Sequence, residues 1–252
     1  MKKTIYFIFL SILCLGCSKK ESTLQFSTKT IDYKTQKNCT EGNCTYVHLE
    51  IPIALGSTEP AYNINQTLFD FVNKNLSFQN NKTTKSYDTL ALHFIKQYDD
   101  VFLTYPENAL AWEANFKSNH RSISNKIYQF VFDYYLFTGG AHGLQACKVF
   151  HFDPSTGKQL PKKDLFLNYN GFEKYAEDIF KKQLHISGDL NSVGFNFENN
   201  KFKLPENFYQ TNTHWILHYN PYEIAPYVKG TTVIKLPKSD VERFLNPIYF
   251  KN

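Results

Sequence analysis

The sequence predicts an α+β fold in which helices pack on a mainly antiparallel sheet, with the chain divided into two subdomains. Three observations lead to this prediction. Short segments with alternating apolar and polar residues come in groups, and few helices separate them. Three longer segments repeat their apolar residues at helical spacing. Aromatic residues make up 17% of the 252 positions, a composition typical of strands and of a large buried core.

The first subdomain is predicted to cover residues 25–144. Its strands are expected at residues 23–34, 45–53, 110–116 and 127–137. Two helices are expected between the second and third of these strands, because apolar residues recur there on one helical face. The residues of the two faces are Ile64, Leu68, Phe71 and Val72 in one helix and Tyr87, Leu90, Ala91, Phe94, Ile95, Tyr98, Val101 and Phe102 in the other.

The second subdomain is predicted to cover residues 145–252. Its strands are expected at residues 144–153, 158–160, 194–203, 213–219 and 231–236. A helix is expected over about residues 171–186, with an apolar face formed by Phe172, Tyr175, Ile179 and Phe180. A short final helix is expected to begin at Ser239, because Glu242 follows three residues later, at the spacing of a capping box.

The N-terminus has the pattern of a bacterial lipoprotein signal. Residues 1–16 combine two lysines with an apolar run that is too short to span a membrane, and Gly16 precedes Cys17. The pattern predicts cleavage before Cys17, a lipid on that residue, a polar tether over residues 17–24 and a body outside the cytoplasm. One departure is Cys14, which stands where such signals usually have leucine. A plain secretory signal is the alternative.

The charge of the chain and its motifs exclude several function classes. The net charge is only +5 and the basic residues are scattered, so no nucleic acid partner is expected. The sequence contains no P-loop, no dinucleotide-binding glycine fingerprint and no His-Glu-x-x-His motif. We therefore expect neither a cofactor nor a metal.

The cysteines predict one disulfide. Cys39 and Cys44 enclose a short polar loop in which Gly42 tolerates a tight turn, and the compartment expected for a lipoprotein is oxidising. A metal site is the competing interpretation, but His48 is the only further ligand nearby. Cys147 lies in an alternating strand and is expected to be a small buried apolar residue.

Two loops are candidate ligand-binding segments. In the first, Gly139 and Gly140 precede His142, and the glycines allow backbone N–H groups to approach a ligand. A strand corner in which only glycine fits, with His142 bonded to the fold, explains the same residues and is the interpretation we favour. The second loop contributes Tyr222, Glu223 and Tyr227, which are expected to face a sugar or a protein. A proline-fixed turn with its tyrosines packed on the sheet is equally compatible.

The residues give catalysis weak support. A hydrolase would use His142 with a carboxylate from elsewhere, but no complete catalytic constellation or nucleophile elbow is present. His214 and His218 share one face of a predicted strand, yet a third metal ligand is not visible. Glu173 and Glu177 lie one helical turn apart among lysines, as on an ordinary solvated surface. We therefore expect no enzyme.

Four segments together resemble a known module. Residues 134–143, 152–157, 164–166 and 215–230 include the Gly-Gly-Ala-His and Pro-Tyr-Glu-Ile-Ala-Pro-Tyr motifs in the same order as that module. It is the two-part extracytoplasmic module of lysozyme-sensing anti-sigma factors of the RsiV type, and it also accompanies the catalytic domain of peptidoglycan deacetylases of the PdaC type. The similarity covers roughly residues 25–250.

The resemblance implies an α+β fold of two subdomains, a PdaC-like one and an RsiV-like one, joined near residue 145. For the anti-sigma factors it also implies binding to lysozyme. The cytoplasmic arm and spanning helix of an anti-sigma factor and the separate metal-binding deacetylase domain are not expected here. The sequence as a whole predicts a membrane-anchored, non-catalytic envelope module that binds peptidoglycan glycan or a lysozyme-like protein. A cell-wall hydrolase and a purely structural lipoprotein are the alternatives.

Overall fold

The computed structural model describes residues 24–39, 44–77, 84–107 and 109–250. The predicted signal peptide, the lipid site at Cys17 and nearly all of the predicted tether lie outside these residues. Within the described ranges, no helix is both long and apolar enough to cross a membrane.

The first half of the described chain forms a five-stranded sheet in the order β1-β2-β3-β4-β5. Its strands are β1 Phe26–Lys34, β2 Tyr46–Ala54, β3 Glu113–Ser124, β4 Ile127–Phe137 and β5 Leu144–Phe152. Neighbouring strands are antiparallel except β2 and β3, which are parallel. The predicted mainly antiparallel α+β class is confirmed.

Two helices cover one face of this sheet, as their apolar periodicity predicts. They are α1 Glu59–Leu76 and α2 Tyr87–Thr104. Thr58 and Ser86 cap their N-termini, since each hydroxyl accepts a backbone N–H of the first turn. The buried residues that the helices share with the sheet include Ile64, Leu68, Val72, Leu90, Phe94, Tyr98, Leu49, Phe116, Phe130 and Phe132. On the opposite face, His48 of β2 contacts the carboxylates of Asp32 (2.6 Å) and Glu50 (2.8 Å).

The second half of the chain forms a three-stranded antiparallel sheet with its own hydrophobic core. Its strands are β6 Asn207–Gln210, β7 His214–Tyr219 and β8 Thr232–Pro237, in that order. The helices are α3 Tyr169–Gln183, α4 Lys238–Val241 and α5 Pro247–Phe250. The aromatic residues of this core include Phe166, Phe172, Phe180, Phe195, Phe197, Phe208, Trp215 and Tyr219.

Two sequence predictions in the second half are wrong. The segment 194–203 is not a strand but a series of turns, in which Asn199 and Asn200 both have positive φ. Phe195 and Phe197 are buried all the same, and this short alternation of buried residues is the pattern that a strand would show. The capping box at Ser239 is also absent. The helix α4 starts at Lys238, and the Ser239 hydroxyl bonds Asp240 instead of a backbone N–H.

The five-stranded sheet continues past the predicted division at residue 145. Strand β5 pairs with β4 along its length, from Leu144 to Phe152. The separate cores nevertheless agree with a two-part organisation, and residue 145 stays a prediction for the join.

Side-chain amides connect the two sheets. The Asn220 amide donates to the Cys147 carbonyl (2.9 Å) and accepts the Cys147 N–H (2.8 Å), which saturates part of the outer edge of β5. The Val149 N–H donates to Asn207 Oδ1 (3.0 Å). Buried Gln129 contacts the next sheet through both polar atoms, as donor to the Gln210 carbonyl and acceptor from the Gln210 N–H. An edge strand closed in this way cannot recruit a further strand there.

A buried histidine at this junction makes stability depend on pH. Burial lowers the pKa of His151 to about 3, so the ring stays neutral in the fold. Unfolding restores a pKa near 6.5, and the unfolded chain therefore takes up a proton that the folded chain refuses between about pH 6.5 and 3. The free energy of unfolding should fall with falling pH over this window, by at most about 1.4 kcal/mol per pH unit from this group.

The prediction is tested by urea denaturation between pH 7 and 4, a range that covers roughly 70% of that window. We expect His151→Gln to show a shallower pH dependence than wild type, because the shifts of all other groups are common to both proteins. His185→Asn is the control, since His185 is exposed and asparagine tolerates its positive φ. Identical slopes for wild type and His151→Gln would refute the assignment.

Candidate functional site

The two loops singled out in the sequence meet in the structure. The rings of His142 and Tyr227 stack with their centroids 3.7 Å apart and their planes 11° apart. The hydroxyl of Tyr222 lies 3.2 Å from His142 Nε2, within hydrogen-bonding distance. We call these three residues the aromatic cluster. It joins the β4–β5 loop of the first sheet to the segment between β7 and β8 of the second.

The glycines of the β4–β5 loop shape this contact. Gly139 and Gly140 both have positive φ, near +93° and +100°, which glycine adopts without strain. Gly143 is needed for another reason: a Cβ there would lie 2.4 Å from the Tyr135 ring. The Tyr227 hydroxyl donates to the Gly143 carbonyl (2.9 Å) and ties the two loops together. Tyr135 lies on the face of β4 that points away from the helical core. The sequence pattern did not single it out.

Tyr222 has an unusual backbone. Its φ is +68°, a conformation that bulky residues rarely adopt and that other contacts must enforce. Glu223 supplies them, since its carboxylate accepts the N–H of Asn220 (2.9 Å) and the N–H of Glu206 (2.7 Å). Burial raises the pKa of Glu223. The loop thus holds Tyr222 outward, with 61% of its surface exposed.

Glu223 has a structural position. Both of its carboxylate oxygens accept backbone N–H groups, so its predicted contact with a ligand finds no support in the geometry. The other five predicted ligand-binding residues lie in the two loops of the aromatic cluster: Gly139, Gly140, His142, Tyr222 and Tyr227.

Two exposed aliphatic residues neighbour the cluster in the chain. Val228 follows Tyr227 and is 94% exposed, the largest value among the exposed apolar residues of the described chain. Leu144 follows the glycine loop and is also exposed. Lys229 lies 3.7 Å above the Phe195 ring and bonds the Val193 carbonyl, which fixes the chain beside Val228. The sequence pattern did not single out Leu144 or Val228, because isolated aliphatic residues in loops carry no periodic signal.

The remaining candidate residues lie elsewhere. His214 bonds its neighbour Thr213, and burial lowers the pKa of His218. Glu177 pairs with Lys181 on the surface of α3. Among the residues that the structure describes, no three His, Cys, Asp or Glu side chains are grouped to hold a metal ion. Cys39 and Cys44 are joined by a disulfide, and Cys147 is a buried free thiol.

Comparison with known proteins relates the fold to one family. The model of the family DUF3298, described as a protein of unknown function, matches residues 163–239. No curated protein shows significant similarity to the chain.

Two solved structures are similar over most of the chain. A member of the DUF3298 family from Bacteroides fragilis superposes with a TM-score of 0.65 at 18% identity, covering 90% of this chain and 97% of that one. A DUF3298 family protein from Pseudomonas aeruginosa gives 0.60 at 20% identity, covering 92% and 99%. At these identities the likeness concerns the fold alone. It agrees at that level with the resemblance to the two-part extracytoplasmic module.

Proposed function

We propose that the protein is a lipid-anchored, non-catalytic binding module of the cell envelope, and that the aromatic cluster is its recognition surface. The observation that carries the proposal is the stacking of His142 on Tyr227 beside the outward-held Tyr222. The lipid anchor and the location outside the cytoplasm are supported by the Gly16-Cys17 signal pattern.

The chemistry of the cluster suits a ligand with both apolar and hydroxyl-rich faces. Tyrosine and histidine rings offer flat apolar surfaces, and their polar atoms lie at the ring edges. Strained backbone conformations occur more often at binding sites than elsewhere in proteins. Tyr222, with its positive φ, has such a conformation. Val228 and Leu144, next to the cluster in the chain, are exposed apolar residues that a ligand could cover.

Cell-wall glycan is the ligand that we place first. The rings can stack on the apolar faces of sugars while Tyr222 Oη and His142 bond hydroxyl groups. A lysozyme-like envelope protein is the second candidate. The exposed Val228 and Leu144 favour it, because apolar residues around tyrosines are also typical of protein interfaces.

The geometry does not support the hydrolase alternative. The hydrogen-bond partner of His142 Nε2 is the Tyr222 hydroxyl, and no carboxylate of the described residues orients the ring as a general base requires. Both oxygens of Glu223, the nearest carboxylate in the loop sequence, are occupied by backbone N–H groups.

Removal of the exposed rings should abolish most binding. His142→Ala and Tyr222→Asn are each expected to weaken the capture of purified peptidoglycan about tenfold or more, which corresponds to about 1.4 kcal/mol. Asparagine is chosen at 222 because it tolerates positive φ. Binding is measured by co-sedimentation with peptidoglycan and, in parallel, by titration with lysozyme. The ligand whose binding is weakened in the variants, peptidoglycan or lysozyme, is the class that the surface recognises.

The matched control is Tyr62→Ala, which removes a tyrosine of similar exposure (66%) from α1. It should bind as wild type does. All three variants should melt close to wild type, because surface substitutions change stability by only about 0.5 kcal/mol. Unchanged capture by His142→Ala and Tyr222→Asn would count against the proposed surface. Release of muropeptides by the wild type, lost in His142→Ala, would establish the hydrolase instead.

A further inference from the structure

We infer that the end of the molecule opposite the aromatic cluster docks on the lipid surface of the anchoring membrane. This end contains the turn between β3 and β4, residues 124–127. The inference rests on the lipid anchor of the proposed function and adds to it a second contact surface and an orientation.

The described chain begins at this end. The N–H of Leu24 donates to the Tyr128 hydroxyl (3.1 Å), and the Phe26 ring contacts the rings of Tyr128 and His120. Seven residues lead from Cys17 to Leu24, and a fully extended chain of that length spans about 25 Å. A lipid on Cys17 therefore keeps Leu24, and with it this end of the body, within about 25 Å of the bilayer.

Exposed apolar side chains lie at the same end. Leu167 is 73% exposed and Ile248 is 66% exposed. The segment that carries Ile248 is bound to the β3–β4 turn, because the Ser124 hydroxyl donates to the Tyr249 carbonyl (2.6 Å). Between the turn and this segment lies a groove of about 470 Å³, and its apolar lining residues are Ile123, Leu167, Leu245, Pro247 and Phe250. Lipid would cover surface that the body otherwise leaves in water.

Charged residues around the groove suit an anionic lipid surface. Lys126 is exposed at the tip of the turn, Lys163 is exposed near Leu167, and Lys238 lines the groove. Glu242 lines it too, and the acidic Asp164 and Asp240 and the basic Arg243 are close to lining residues in the chain. Lysine and arginine side chains are attracted to anionic lipid headgroups, so the small excess of cations favours this contact.

The docking surface and the aromatic cluster lie at opposite ends of β4. The strand has 11 residues, which span roughly 35 Å. If the β3–β4 turn rests on the membrane, the β4–β5 loop with His142 points away from it. A module docked in this way presents its recognition surface to the envelope rather than to its own membrane.

The test uses the full-length lipoprotein, purified from membranes and reconstituted in vesicles of phosphatidylethanolamine and phosphatidylglycerol. An environment-sensitive fluorophore is attached at Leu167→Cys, at Ile248→Cys or, as the control at the far end, at Val228→Cys. The native free thiol does not compete, because Cys147 is buried and burial raises its pKa to about 12. We expect fluorescence at 167 and 248 to rise several-fold in vesicles and to be quenched by brominated lipids, with no quenching at 228.

The possible outcomes separate the inference from the anchor itself. Mass spectrometry first establishes that Cys17 is acylated. In the acylated protein, equal quenching at positions 167, 248 and 228, or no quenching at any of them, would overturn the docking surface. Shielding of 167 and 248 that persists in detergent and ignores brominated lipids would show that a second copy of the chain covers them, which also overturns it. A Cys17 without lipid would overturn the anchor, and the inference with it.

Discussion

We expect the substitution Gln129→Leu to lower the free energy of unfolding by about 2 to 3 kcal/mol relative to the wild type. Leucine keeps the buried volume but removes both bonds to Gln210, so the Gln210 N–H loses its 2.7 Å acceptor inside the junction. Arg121 still reaches the Gln210 carbonyl. The groups left without this partner are therefore the Gln210 N–H and the buried His151 Nε2, which lies 3.4 Å from Gln129 Oε1.

Chemical denaturation measures this effect, and Gln145→Leu is its control. Gln145 lies on the neighbouring strand β5 and is exposed, so the same substitution there should change stability by about 0.5 kcal/mol or less. If the two variants were equally stable, Gln129 would not be holding the sheets together.

The variant Gly157→Ala should be destabilised by about 2 to 4 kcal/mol. Gly157 ends the turn after β5 and has a φ of +65°. A Cβ at this position would lie 2.2 Å from the carbonyl oxygen of Pro60 and 2.6 Å from its Cα. Because these are backbone atoms at the start of α1, neither partner can move aside without shifting an element. The Asn63 amide, which donates to the Thr156 carbonyl, would be disturbed as well.

Thermal melting of Gly157→Ala beside Gly188→Ala tests the prediction. A Cβ added at Gly188 would have no atom of the described residues within 4 Å, and the φ of Gly188 is not positive, so alanine should be neutral there. If Gly157→Ala melted at the same temperature as Gly188→Ala, the turn would accommodate the added Cβ without strain, and the prediction would be wrong.

Much of the fold was predictable because many of its elements carry a periodic signal. The apolar faces of α1 and α2 and the long strand β4 were located from residue spacing. Strand β6 was missed because it has only four residues, and two of its buried side chains, Asn207 and Gln210, are polar. These polar residues are buried because they bond across the junction, a tertiary contact that local spacing does not encode.

The candidate site was predictable in its parts but not in its assembly. Glycines and tyrosines marked each loop, because special backbone and exposed rings have local signatures. The stacking of His142 on Tyr227 joins residues 85 positions apart in the chain, and no local pattern predicts it. The contacts of Glu223 were not predictable for a related reason, since one of its two partners, Glu206, is 17 residues away.

The parallel pairing of β2 with β3 constrains how the chain reaches its native state. Strands β3, β4 and β5 follow one another and form a meander with short closures. Strand β2 can join them only after the long segment with α1 and α2 has closed, at a cost in chain entropy that grows with its length. We therefore expect a folding nucleus in the meander, with late docking of the β1–β2 hairpin. A substitution such as Leu68→Ala in α1 should then mainly speed unfolding, while Phe132→Ala in β4 should mainly slow refolding.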